Sequence, residues 1–140
     1  MKIQNLLFSV FLIFAMSACA SEEEIEVSCE DFYETQHRSY DIKIGVGNEF
    51  TLALCSNPST GFQWAEQAEI SDSELITQVT HEVVPPAEKD SPPPPGTPGD
   101  QVWVFKARSP GQCTISLDYS QPWDGGEKST WTFVVNVNIE

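Results

Sequence analysis

The sequence predicts an all-β fold, an antiparallel β-sandwich of about seven strands. Three observations lead there. Near the carboxy terminus Trp131, Phe133, Val135, Val137 and Ile139 fall on one face and Thr132, Asn136 and Asn138 on the other, the period of two that an extended chain produces. Shorter alternating runs recur along the chain, separated by clusters of Gly, Pro, Asn and Ser that mark turns. No amphipathic helix of useful length is visible.

Taken in order, residues 39–45 and 49–55 read as the first two strands, divided by Gly47-Asn48. In the second, Phe50, Leu52 and Leu54 alternate with smaller residues, as in a half-buried strand. Residues 62–66 form a third, after the turn Asn57-Pro58-Ser59-Thr60-Gly61, and 75–84 a fourth. A proline-rich stretch, Pro85-Pro86 to Pro92-Pro93-Pro94-Pro95, follows; it leans toward extended polyproline geometry. Residues 102–107, 112–119 and 129–139 complete the set.

Three of the connections have unusual chemistry. In Asn57-Pro58-Ser59-Thr60-Gly61, proline fixes its own φ and pushes Asn57 toward extended geometry. Asn and Ser can bond their own backbone, and Gly61 admits a positive φ. Such a tip is ordered before it meets a partner and loses less entropy on docking. Gly96-Thr97-Pro98-Gly99 stands on stiff proline shoulders, and Gln121-Pro122-Trp123-Asp124 closes the sixth strand. Loops alternate between the two ends of an antiparallel sandwich, so these three, joining strands two to three, four to five and six to seven, fall at one end.

The three motifs in this order resemble the chagasin family of cysteine-peptidase inhibitors, which carries an Asn-Pro-Thr-Thr-Gly loop, a glycine-rich loop and an Arg-Pro-Trp loop. The resemblance spans roughly residues 40–139. Ser59 stands where Thr is usual and keeps a hydroxyl; Gln121 stands where Arg is usual and removes a positive charge. The resemblance implies an immunoglobulin-like sandwich over 39–140 that plugs the groove of a papain-like cysteine peptidase. In this reading 57–61, with Phe62 beside them, enter the centre and place Thr60 near the catalytic pair. Gly96, Thr97, Pro98 and Gly99 clamp one side, and Gln121, Pro122 and Trp123 the other. Trp123, a large ring behind a proline, is the expected hot spot; Trp64, Trp103 and Trp131 lie within strands and are expected in the core.

Residues 1–19 read as an export signal: Lys2 gives a positive start, an apolar stretch follows, and Ser17-Ala18 precede Cys19. That ending resembles a bacterial lipobox, making Cys19 a lipid-anchored first mature residue on an exported cell-surface or periplasmic protein, held to the membrane by lipid alone. Residues 20–38 read as an acidic tether and lead-in. The remaining cysteines are Cys29, Cys55 and Cys113. Cys113 shares a face with Ile115, Leu117 and Tyr119, so Cys29–Cys55 is the preferred disulfide and Cys55–Cys113 the alternative.

A net charge of −14 argues against nucleic acid, whose phosphates demand Lys and Arg. His37 and His81 are the only histidines, and neither has a spacing with Cys or paired carboxylates that suggests metal or catalysis. An enzyme is not expected, nor is a cofactor or metal; a monomer is. The rival is a non-inhibitory extracellular binding module for carbohydrate or protein, with Tyr119 and Trp123 as an aromatic platform.

Overall fold

The computed structural model describes residues 22–88 and 91–140; the segment read as an export signal, Cys19 included, lies outside the described residues. The described strands are β1 (Glu23–Val27), β2 (His37–Ile44), β3 (Glu49–Ser56), β4 (Gln63–Trp64), β5 (Glu69–Ile70), β6 (Ile76–Val84), β7 (Gly99–Ala107), β8 (Gly111–Ser120) and β9 (Trp131–Ile139). One sheet has the order β1-β3-β7-β6, the other β2-β9-β8-β4, with β5 also on β8. Phe50, Leu52, Leu54, Trp103 and Phe105 from the first sheet meet Ile115, Leu117, Phe133, Val135 and Val137 from the second, all buried. These are the alternate residues of their strands, as the period of two requires. The sandwich is therefore as expected.

It is not wholly antiparallel. β1 pairs with β3, and β2 with β9, in parallel. Alternation fixes which face of a strand is apolar but carries no information about the direction of its neighbour, so both pairings escape a reading of the sequence.

The lead-in is likewise more than a tether. From Glu23 the acidic run is an edge strand, with Ile25 and Val27 buried and Glu24 and Glu26 exposed. A short helix, α1 (Cys29–Glu34), follows; Ser28 and Asp31 cap it reciprocally, satisfying otherwise orphaned N–H groups. The Ser28 bonds hold the Asp31 carboxyl below its usual range. α1 delivers Phe32 to the core, fully buried and stacked on Trp131 at 4.9 Å. Trp131 stacks in turn on Tyr119 at 4.6 Å.

Cys29 and Cys55 are disulfide-bonded, with Cα atoms 5.2 Å apart, so the lead-in is stapled to the end of β3. Closing a loop of 26 residues removes chain entropy from the unfolded state. Replacing both cysteines by alanine is expected to cost about 3 kcal/mol, read as a lower denaturation midpoint; an unchanged midpoint would refute it. Cys113 is free and buried. Burial, and secondarily the Asp72 carboxylate, pushes its thiol pKa up, which leaves it unreactive.

The third expected strand, 62–66, is shorter than read. After Trp64 the chain bows off the sheet, and the Glu66 carbonyl accepts from Trp103 Nε1 (3.0 Å) and Gln78 Nε2 (2.9 Å). A buried indole N–H needs an acceptor, and the bow supplies it. The chain then rejoins β8 as β5, in the same direction as β4. Strand parity is thus preserved.

Candidate functional site

The ends of β3 and β6 and the start of β7 are neighbours, with Ser56 opposite Gly99 and Val84 opposite Asp100. In the other sheet Gln63 faces Ser120, and Tyr119 faces Trp131. The connections that leave Ser56, Val84 and Ser120 therefore emerge together. Direct contacts join them into one edge.

Asn57 is the knot. Its backbone N–H donates to Tyr119 Oη (2.9 Å), and its side-chain Nδ2 donates to the Gly96 carbonyl (3.0 Å). Its Oδ1 accepts from Ser59 Oγ (2.6 Å). One residue thus ties its own turn to the second sheet and to the glycine-rich loop. The aromatic stack from Phe32 ends at this knot, so the lead-in buttresses the edge.

Pro58–Thr60 form one 3-10 turn, and Gly61 closes it at φ 81° with its N–H bonded to the Pro58 carbonyl. A Cβ at Gly61 would lie 2.6 Å from the Trp123 ring. Glycine is required twice over, by φ and by the indole lying against it. Thr60 is exposed, but its hydroxyl donates to the Asn57 carbonyl (2.7 Å) and accepts weakly from Phe62 N–H (3.4 Å). The hydroxyl stiffens the turn, while the remainder of the side chain stays at the tip. Phe62 is half-buried and stacked on Tyr119 at 5.6 Å, which makes it the root of the loop.

In the second loop Thr97 folds back on the Pro94 carbonyl through N–H (3.1 Å) and Oγ1 (2.6 Å), and Pro98 is exposed. Gly96 has φ 84°. At Gly99 a Cβ would run into the Val84 carbonyl. Its smallness serves the hairpin itself. Asp100, at the base, has its carboxyl pKa raised by burial and then by Glu26.

In the third loop Pro122 is exposed and Trp123 is 50% exposed, whereas Trp64, Trp103 and Trp131 are buried. Gln121 Oε1 accepts from the Glu127 N–H (2.9 Å), and Gln121 N–H donates to the Glu127 carbonyl (2.8 Å). Gln121 therefore closes the loop instead of reaching outward. Two further residues brace this edge, and neither stands out in the sequence. Lys128 lies across this loop on its carbonyls. Gln101, buried beneath the edge, accepts at Oε1 from Ser56 Oγ (3.1 Å) and Trp64 N–H (2.9 Å). Gln101 was legible only as a polar residue at a core position of β7.

Tyr119 is buried, 3% exposed, which removes it from any aromatic platform. Among the described residues of the three loops Trp123 is the exposed large ring, while the exposed Tyr33 stands edge-on to Trp131 from α1.

Comparison with known proteins identifies the family and the fold. The model of the chagasin family of peptidase inhibitors, I42, matches residues 43–137. Chagasin of Trypanosoma cruzi is 27% identical over 101 residues, covering 71% of this chain and 88% of that protein. The fold is shared with the cysteine protease inhibitor EhICP2 of Entamoeba histolytica (TM-score 0.61, 23% identity, 86% of this chain and 98% of that one). It is also shared with PbICP-C, solved in complex with falcipain-2 (TM-score 0.60, 16% identity, 84% and 99%).

Proposed function

The chain belongs to the chagasin family of peptidase inhibitors, and from that premise we propose that it blocks papain-like cysteine peptidases reversibly, by seating 57–62, 96–99 and 121–123 across the substrate groove. One observation carries this: Asn57 bonds the glycine-rich loop while Gly61 carries the Trp123 ring, so three connections distant in sequence form one stiff edge. The partner of a relative of the same fold, falcipain-2, supports the class of target.

The groove of such an enzyme holds a thiolate beside a histidine and cuts peptides laid extended along it. A 3-10 turn cannot adopt that pose, and its carbonyls are not aligned for attack. The tip fills the centre without becoming a substrate. Its order beforehand limits the entropy lost on docking. Titrating papain with the protein should give competitive, reversible inhibition at about nanomolar concentration or tighter; full activity at micromolar protein would sink the proposal. Thr60→Arg should weaken inhibition about 10- to 100-fold by crowding the centre and by removing the hydroxyl that braces the turn, with a thermal midpoint lowered by only about a few degrees.

We further propose that the protein is exported, anchored by lipid at Cys19 and monomeric. The Lys2 start, the apolar run and Ser17-Ala18-Cys19 support export and anchoring, and the Cys29–Cys55 disulfide fits an oxidising compartment. Cys19→Ser should release the protein from the membrane fraction; retention there would exclude the anchor.

A further inference from the structure

The third loop is held by an ammonium group. Lys128 Nζ donates to the carbonyl of Trp123 (2.9 Å) and, at still shorter range, to that of Gln121. Among the described residues it forms no ion pair, although Asp124 and Glu127 lie in the same loop. A lysine has three donors and no acceptor, and two of the three are used on the backbone that carries Pro122 and Trp123. The Trp123 carbonyl also accepts from Gly126 N–H (3.1 Å). At Gly126 a Cβ would strike Gln121 Cβ at 2.7 Å and Trp123 Nε1 at 3.0 Å. The loop is therefore wound tightly around the lysine head, with the indole pressed on Gly61 at its outer side.

We propose that Lys128 is a positioning residue for inhibition: its ammonium gathers the Gln121 and Trp123 carbonyls and so holds the Trp123 ring against Gly61, in the place from which it meets the peptidase. This deepens the inhibitor reading and rests on it. A charged donor to two carbonyl oxygens is stronger than a neutral one. Without it those carbonyls turn to water, and the ring loses the fixed base that makes a half-exposed tryptophan an economical contact.

The arrangement suits an optical test, because Trp64, Trp103 and Trp131 are buried and Trp123 alone is half-exposed. Acrylamide quenching of the native protein thus reports Trp123. Lys128→Met should increase that quenching. It should also weaken papain inhibition about tenfold, with no further loss when added to Trp123→Ala. Unchanged quenching would overturn the proposal. So would a loss of inhibition that adds in full to that of Trp123→Ala, since Lys128 would then touch the peptidase directly. Lys128 is exposed, and an unchanged thermal midpoint confirms that the variant is folded; Lys128→Gln provides a second neutral variant. If the native protein fails to inhibit papain, the inhibitor reading falls, and the quenching experiment still decides the role of Lys128.

Discussion

Replacing Gly61 by valine is expected to weaken inhibition by about 100-fold or more. At φ 81° a residue with a side chain costs roughly 1–2 kcal/mol, but that strain is the lesser effect. The new Cβ would have to occupy the Trp123 ring, 2.6 Å away, so the turn and the tryptophan cannot both keep their places. Two of the three contact loops are displaced together. Gly47 offers the control: it has φ 86° and nothing within 4 Å of its hypothetical Cβ. It also sits at the far end of the sandwich, bonded to the carbonyl of Ala107. Gly47→Val should cost similar stability and leave inhibition intact. Equal inhibition by the Gly61 and Gly47 variants in a papain titration would show that the edge is not the inhibitory surface.

Phe32→Ala is expected to remove about 3–5 kcal/mol of stability, a large share of the roughly 5–15 kcal/mol that holds a domain together. The ring is fully buried and contacts Trp64, Trp131 and Phe133. Its removal leaves a cavity walled by large flat rings that cannot collapse around an alanine. A chain shortened to residues 39–140 should be worse still, because it lacks β1, α1 and the Cys29–Cys55 crosslink as well. Denaturant unfolding measures both. A short chain as stable as the whole would mean that the lead-in is an ornament, contrary to its burial.

The family match begins at residue 43, after the lead-in, yet the lead-in reaches the three-loop edge through contacts. Phe32 stacks on Trp131, Trp131 on Tyr119, and Tyr119 Oη accepts from Asn57 N–H. A faint signal for this was present. Ile25 and Val27 alternate with glutamates, but two apolar residues in a run of acids are too few to separate an edge strand from a solvated spacer.

Local chemistry alone settled much of this protein. Alternation assigned the faces of the strands, Pro58 and Gly61 specified a turn, face parity set Cys113 apart, and counting strand reversals brought three loops to one end. Such properties depend on residues a few positions apart, where backbone sterics and the period of two decide. Packing settled what no spacing encodes. It set the parallel partners of β1 and β2 and spent the Thr60 and Gln121 side chains inside their own loops. It also laid Trp123 on Gly61 and brought the Lys128 ammonium to the Gln121 and Trp123 carbonyls. These are contacts between chain segments whose separation is fixed only when the two sheets close on a common core, and each is selected by the space and the unpaired polar groups left when they do.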